Sequence, residues 1–114
     1  MKYIVDVRPL TWKTGSGCWY SNIKVGEIID TLIAVSTYTN DLRGTLYYVK
    51  FTGCSWCALG DDGEGTYTKY GFETVEDAKF WAEKTYIKAM HSLVTDLQFD
   101  LRKYVRMKEA NIDE

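Results

Sequence analysis

The segment GFETVEDAKFWAEK, residues 71–84, carries the clearest structural signal in this chain of 114 residues. The Thr74 side chain can accept hydrogen bonds from the exposed amides of a first helical turn. Asp77 follows three residues later, in the position of the acidic member of a capping box. Glu76 adds a negative charge near the positive end of the helix dipole. The segment therefore predicts the start of a helix.

The predicted helix is long, because neither glycine nor proline occurs between Phe72 and Glu114. We expect it over residues 71–108, with a break allowed near residue 95 and a frayed tail over residues 109–114. At ~1.5 Å per residue it would be roughly 50 Å long, which exceeds the width of a domain of this size. Part of it is expected to project from the domain or to fold back.

Two apolar stripes follow this helix. The first consists mainly of small residues that let a helix lie close to a sheet, with one large anchor: Ala78, Trp81, Ala82, Thr85 and Ala89. The second follows alternating steps of three and four, the spacing of paired helices. After Ile87 it comprises five residues, here called the C-terminal seam: Met90, Val94, Leu97, Leu101 and Tyr104. Either this seam packs on the same domain after a break near residue 95, or it binds a second copy or a partner.

The chain before the helix predicts strands, because its segments alternate or are rich in β-branched and aromatic residues. In TLYYVKF, residues 45–51, Tyr48 and Lys50 are expected on one face and Val49 and Phe51 on the other. KTGSG, residues 13–17, is expected to be a loop. The other predicted strands are KYIVDV (2–7), an edge segment LTW (10–12), CWYSNIKV (18–25), TLIAVSTY (31–38) and CSWCAL (54–59). The expected fold is a single α+β domain over residues 1–114, with four to five antiparallel strands within residues 1–70 and the helix packed on one face.

Charge and composition limit the classes of function. The formal net charge of −2 leaves no surplus of cations to neutralise a phosphate backbone, so nucleic-acid binding is disfavoured. Three cysteines, no secretory leader and no apolar run of ~20 residues favour the cytoplasm and no membrane contact. DNA binding by the sheet or the helix stays an alternative, and it requires seven cations on one face: Lys24, Arg43, Lys50, Lys69, Arg102, Lys103 and Arg106.

The C-x-x-C spacing of Cys54 and Cys57 raises the possibility of a metal site. A zinc site needs four ligands, and only Cys18 and His91 could complete the set. On an extended strand, residues 54 and 57 point to opposite faces, which separates their thiols. We therefore expect buried thiols, no metal and no cofactor, and keep a Cys3His zinc module as an alternative.

Catalytic residues are sparse. His91 is the single histidine, and its neighbour Ser92 would not face it on a helix. KTGSG lacks the spacing of a phosphate-binding loop. The sequence therefore predicts a protein that is not an enzyme.

The segment GDDGEG, residues 60–65, is expected to be a hairpin loop, because its glycines supply the positive φ of tight turns. Its acidic residues lie beside a tryptophan in the sequence and can form a contact surface for a basic partner, or simply be solvated. With two aromatic residues of the second predicted strand, the candidate partner-binding residues are Trp19, Tyr20, Trp56, Asp61, Asp62 and Glu64.

The pattern F-x-T-x-E-x-A-K-x-x-A-E, preceded by tryptophan-bearing strands, resembles a loose group of small phage-encoded β-sheet-plus-helix domains. The resemblance covers residues 10–93 and leaves out the C-x-x-C motif and the tail after Val94. It implies a phage accessory protein in the host cytoplasm that inhibits a host defence or metabolic protein by stoichiometric binding, as anti-CRISPR and anti-restriction proteins do. We expect a non-enzymatic module that can dimerise through its C-terminal helix. The matching residues are Phe72, Thr74, Glu76, Ala78, Lys79, Ala82 and Glu83.

Overall fold

A computed structural model of the protein describes residues 6–27, 29–54, 56 and 65–104. Five antiparallel strands form one sheet in the order β1-β2-β3-β4-β5, and a single described helix, α1, follows them and packs on one face. The predicted α+β fold is confirmed. The elements are β1 Lys13–Gly15, β2 Cys18–Val25, β3 Ile29–Asn40, β4 Gly44–Thr52, β5 Thr66–Phe72 and α1 Val75–Leu101.

The two central strands bury one side of the sheet. Ile33 of β3 pairs with Phe51 of β4, and Val35 pairs with Val49. All four side chains are at most 1% exposed. Since successive side chains of a strand point to opposite faces, this pairing places an apolar layer on one side and leaves the intervening residues on the other.

Several predictions for the chain before the helix are wrong, including the edge segment LTW, whose residues 10–12 are not in a strand. KTGSG is not a plain loop, because its first three residues form β1 and pair with β2. In CSWCAL, Cys54 and Trp56 are not in a strand, and the other residues of that segment lie outside the described part of the chain. The fifth strand is instead Thr66–Phe72, a segment of mainly threonine and aromatic residues that pairs with β4. Residues 2–5 of the first predicted strand also lie outside the described residues, and Asp6 and Val7 are not in a strand.

The helix begins as its capping residues predict. Thr74 has extended backbone angles, and its hydroxyl accepts a hydrogen bond from the Asp77 amide at 3.1 Å. α1 starts at Val75 rather than at residue 71, because Gly71 and Phe72 belong to β5. It continues without a break past residue 95, so the alternative of a second helix starting near Thr95 is wrong, and it ends at Leu101 rather than at the predicted residue 108.

The first half of α1 supplies the other side of the core. Ala78 and Ala82 are fully buried, which brings the helix backbone close to the sheet. The Trp81 ring lies 6.2 Å from that of Phe51, 6.0 Å from that of Tyr67 and 5.7 Å from that of Phe72, measured between ring centroids. The predicted sheet-facing stripe therefore packs as expected.

Candidate functional site

The described helix packs on one face of the sheet and leaves the opposite face uncovered. We call it the open face. The segment before β1 also packs on the helix side, since the Trp12 indole nitrogen (Nε1) donates a hydrogen bond to Glu83 Oε1 at 3.0 Å. The open face consists of the side chains that alternate with the core residues: Lys13, Tyr20, Asn22, Lys24, Asp30, Leu32, Ala34, Ser36, Tyr38, Leu46, Tyr48, Lys50, Thr52, Thr66, Thr68 and Tyr70.

Three tyrosines meet at one end of the open face, and we call them the tyrosine cluster. The ring centroids of Tyr38 and Tyr48 are 6.0 Å apart, and each lies 5.4 Å from the centroid of Tyr70. Tyr38 and Tyr70 meet edge to face, with an interplanar angle of 85°. Leu46, the register partner of Tyr38, is only 3% exposed, whereas Tyr70 is 60% exposed. The cluster therefore consists of three rings in mutual contact, with Tyr70 at its exposed edge.

A bulge in β5 places Tyr70 and Phe72 on opposite faces of the sheet. The register of β4 and β5 shifts between Tyr47 and Val49, and Gly71 has a φ of +97°, a conformation that glycine adopts readily. The extra residue lets Tyr70 point to the open face while Phe72, two residues later, points to Trp81 on the helix side. Without it, the two rings would lie on the same face.

A cross-strand row runs beside the tyrosine cluster. Lys13 pairs with Tyr20, Tyr20 with Ala34, and Ala34 with Lys50. Neighbouring strands are ~4.8 Å apart, so the two lysine backbones are separated by roughly 14 Å. The small side chains of Ala34 and Ser36 lie between these larger ones. The side chains of the open face are therefore shortest over these two residues of β3, and we call this short strip the groove.

The predicted partner-binding residues do not form one surface. Trp19 lies on the helix side, 6.2 Å from the Tyr47 ring, whereas its neighbour Tyr20 is on the open face. Trp56 is half-buried, and its indole N–H donates to Thr31 Oγ1 at 2.6 Å. The acidic members Asp61, Asp62 and Glu64 lie outside the described residues.

The candidate zinc ligands are dispersed in the structure. The Cys18 thiol on β2 donates to the Gly15 carbonyl at 3.1 Å. Cys54 is fully buried in the core and donates to the Gly65 carbonyl at 3.2 Å, and His91 is exposed on α1. Cys57 lies outside the described residues. Within the described ranges, no three histidine, cysteine or acidic side chains gather where they could hold a metal ion.

The cations required by the DNA-binding alternative are also separated. Lys24 and Lys50 lie on the open face, whereas Arg43 forms an ion pair with Glu73 at 3.1 Å. Lys103 lies just beyond the C-terminal end of α1, and its Nζ atom is 3.8 Å from Oδ1 of Asp100. Arg102 is at the same end, and Arg106 lies outside the described residues. The described members of this set therefore do not share one face.

The C-terminal seam continues where α1 has left the sheet. Ala89 and Met90 are the last helical residues that pack against the core. Leu97 and Leu101 are each 51% exposed, and Tyr104 just beyond the helix is 85% exposed. Nothing in the described part of the chain covers these three side chains.

None of the described helical sequence has the length and apolar character to cross a membrane.

The tyrosine cluster was not among the predicted site residues. Its signal in the sequence is partial: alternation in TLYYVKF does assign Tyr48 and Lys50 to one face, as the structure confirms. Comparison of the chain with protein-family models, curated proteins and solved structures finds no match.

Proposed function

We propose that this protein is a non-enzymatic module that binds another protein through the open face of its sheet. The observation that carries the proposal is the tyrosine cluster, three large rings on a face that no described element covers. Tyrosine offers a large contact area with few rotatable bonds and a hydroxyl for hydrogen bonding, and it is enriched at protein-binding hot spots.

The target we propose is a host defence or metabolic protein, inhibited by stoichiometric binding in the host cytoplasm. The support for this target is the resemblance of residues 10–93 to phage-encoded sheet-plus-helix domains. A binding surface built from tyrosine, lysine and threonine, with no assembled catalytic residues among the described ones, suits an inhibitor that works by covering a functional surface.

Site-specific photocrosslinking in the host cell tests the binding face. A benzoylphenylalanine at Thr68 or Asn22, both on the open face, is expected to give a discrete adduct with one host protein. The same group at Lys88, on the exposed side of α1, is the control and should give none. The adduct should be lost in Tyr48→Ser/Tyr70→Ser, whose folding is checked by urea unfolding. Equal adducts from Lys88, or an adduct that persists in the tyrosine variant, would contradict the proposal.

An infection assay tests the inhibitory role. Cells that carry a defence system and express the protein should become permissive to a phage that the system otherwise blocks. Cells that express Tyr48→Ser/Tyr70→Ser should block the phage again. Cells that express Tyr104→Ser, a change just beyond the end of α1, should stay permissive. Blocked plaque formation in every defended strain would oppose the anti-defence role and favour a metabolic target.

We further propose that two copies associate through the C-terminal seam. Its members repeat at steps of three and four, the spacing by which helices pair. Leu97 and Leu101 are each about half exposed. Packing both side chains against a second helix would remove this apolar surface from water.

A further inference from the structure

We infer that the open face binds an extended acidic segment of the partner protein, laid along β3 between Lys13 and Lys50. This inference rests on the proposed function and names the chemistry of the partner.

The charge of the open face is opposite in sign to that of the whole chain. It presents Lys13, Lys24 and Lys50 against one acid, Asp30, on a protein of net charge −2. Asp30 is the register partner of Lys24. Within the described residues, neither Lys13 nor Lys50 has a carboxylate within ion-pair distance. No carboxylate of the described residues therefore neutralises these two ammonium groups.

Two lysines of the first half of α1 have aromatic partners within the molecule. Lys79 lies 5.7 Å from the centroids of the Trp12 and Trp19 rings, and Lys84 lies 5.2 Å from that of Phe80. Such cation–π contacts already supply part of the electrostatic stabilisation of these ammonium groups. The lysines of the open face lack them, which makes this face the stronger site for a complementary charge.

The groove fits one extended chain. Tyr20 and Lys50 flank Ala34 on either side, with their backbones about 10 Å apart. Successive side chains of an extended segment point to opposite sides, so adjacent acidic residues can reach Lys13 on one side and Lys50 on the other. At the end of the groove, Tyr48 is the register partner of Ser36. An apolar side chain of the bound acidic segment could contact the tyrosine cluster there.

The ring geometry favours a protein over a single-stranded nucleic acid. Bases bind by stacking on exposed aromatic faces. In the tyrosine cluster the rings contact one another. The plane of the Tyr38 ring makes an angle of 85° with that of Tyr70 and 60° with that of Tyr48. Neighbouring rings therefore occupy part of the faces on which bases would stack. Three lysines, one of them paired in register with Asp30, also provide little of the phosphate neutralisation that nucleic-acid binding requires.

Charge reversal tests this inference on the purified partner identified by crosslinking. Lys13→Glu/Lys50→Glu should weaken binding at least about tenfold and make it less sensitive to salt. The control, Lys84→Glu/Lys88→Glu, makes the same change of charge on the exposed side of α1 and should leave the Kd within about twofold. Unchanged binding by Lys13→Glu/Lys50→Glu would overturn the acidic-segment inference while the protein-binding proposal stands.

A direct probe distinguishes the classes of ligand. Decaglutamate, kept extended by self-repulsion, should shift the backbone amide NMR signals of the row from Lys13 to Lys50, and decalysine should not. These shifts should be absent in Lys13→Glu/Lys50→Glu. A ten-nucleotide oligothymidylate that shifts the same signals when decaglutamate does not would overturn the inference in favour of nucleic acid. Absence of any adduct in the crosslinking experiment, by contrast, would count against the proposed function itself.

Discussion

Gly53 lies directly against the backbone carbonyl of Asp30, on the neighbouring strand. A Cβ atom at Gly53 would come within 3.0 Å of that oxygen, and the residue has a φ of +77°. Its own carbonyl accepts a hydrogen bond from Thr31 Oγ1 at 2.7 Å, and its amide donates to the Gly65 carbonyl at 2.8 Å. This residue thus fixes the exit of β4 against β3, and only glycine fits there.

We therefore predict that Gly53→Ala lowers the free energy of unfolding by about 2 kcal/mol or more, because it adds both a steric contact and an unfavourable φ. Gly17→Ala is the matched control: its φ is +75°, but no atom lies within 4 Å of the added Cβ. That variant should lose only about 1 kcal/mol. Urea unfolding measures the free energy of unfolding of both variants. Equal losses would mean that the Asp30 carbonyl moves away from the added Cβ at no cost in free energy.

The hydrogen bond from Trp12 to Glu83 connects the segment before β1 to α1. Trp12→Phe keeps most of the ring but removes the donor, and we predict a loss of about 1 to 2 kcal/mol because the acceptor is charged and the contact is partly buried. A double-mutant cycle with Glu83→Ala separates this bond from changes in packing. The two losses should not add, with a coupling of about 1 kcal/mol. Strict additivity would show that the bond contributes nothing to stability.

Burial raises the pKa of Tyr86 above the ordinary tyrosine value of about 10. In the unfolded chain this hydroxyl loses its proton at lower pH than in the folded protein, so above pH 10 the unfolded state binds fewer protons. The contribution of the Tyr86 hydroxyl to stability is therefore complete below about pH 10, and it is lost as the pH rises through the pKa of Tyr86 in the folded protein.

The prediction is that the wild type loses stability more steeply than Tyr86→Phe between about pH 9 and pH 11. The variant is the control for all other groups that titrate in this range, because it changes only the one hydroxyl. Urea unfolding at a series of pH values gives the difference between the two proteins. Parallel curves would mean that Tyr86 ionises equally well in the folded state.

Local signals in the sequence were sufficient for α1 and for the central strands. The Thr74 cap predicts the helix start within a few residues, and alternation in TLYYVKF assigns Val49 and Phe51 to the core face correctly. These features depend on neighbours within a few positions of the chain. Their physical cause is therefore visible in the sequence.

The fifth strand and the site depend on distant pairing. Residues 66–72 consist mainly of threonine and aromatic residues, which favour strands, yet no strand was predicted there, because its pairing with β4 is visible only in the fold. The tyrosine cluster joins residues 38, 48 and 70, which come together only in the paired sheet. Trp19 and Tyr20 were grouped together in the prediction, although alternation on β2 separates them.

The C-terminal seam gives the last prediction. Leu97→Asn/Leu101→Asn should weaken self-association at least about tenfold in sedimentation equilibrium, because polar groups would replace apolar surface at the centre of the helix pair. The free energy of unfolding of the monomer should change by less than about 1 kcal/mol, since both leucines are half exposed. The control is Phe99→Asn. Phe99 is 65% exposed, between the two leucines in sequence but on another side of α1. It should leave association unchanged, and a wild type that stays monomeric at all concentrations would contradict the role of the seam.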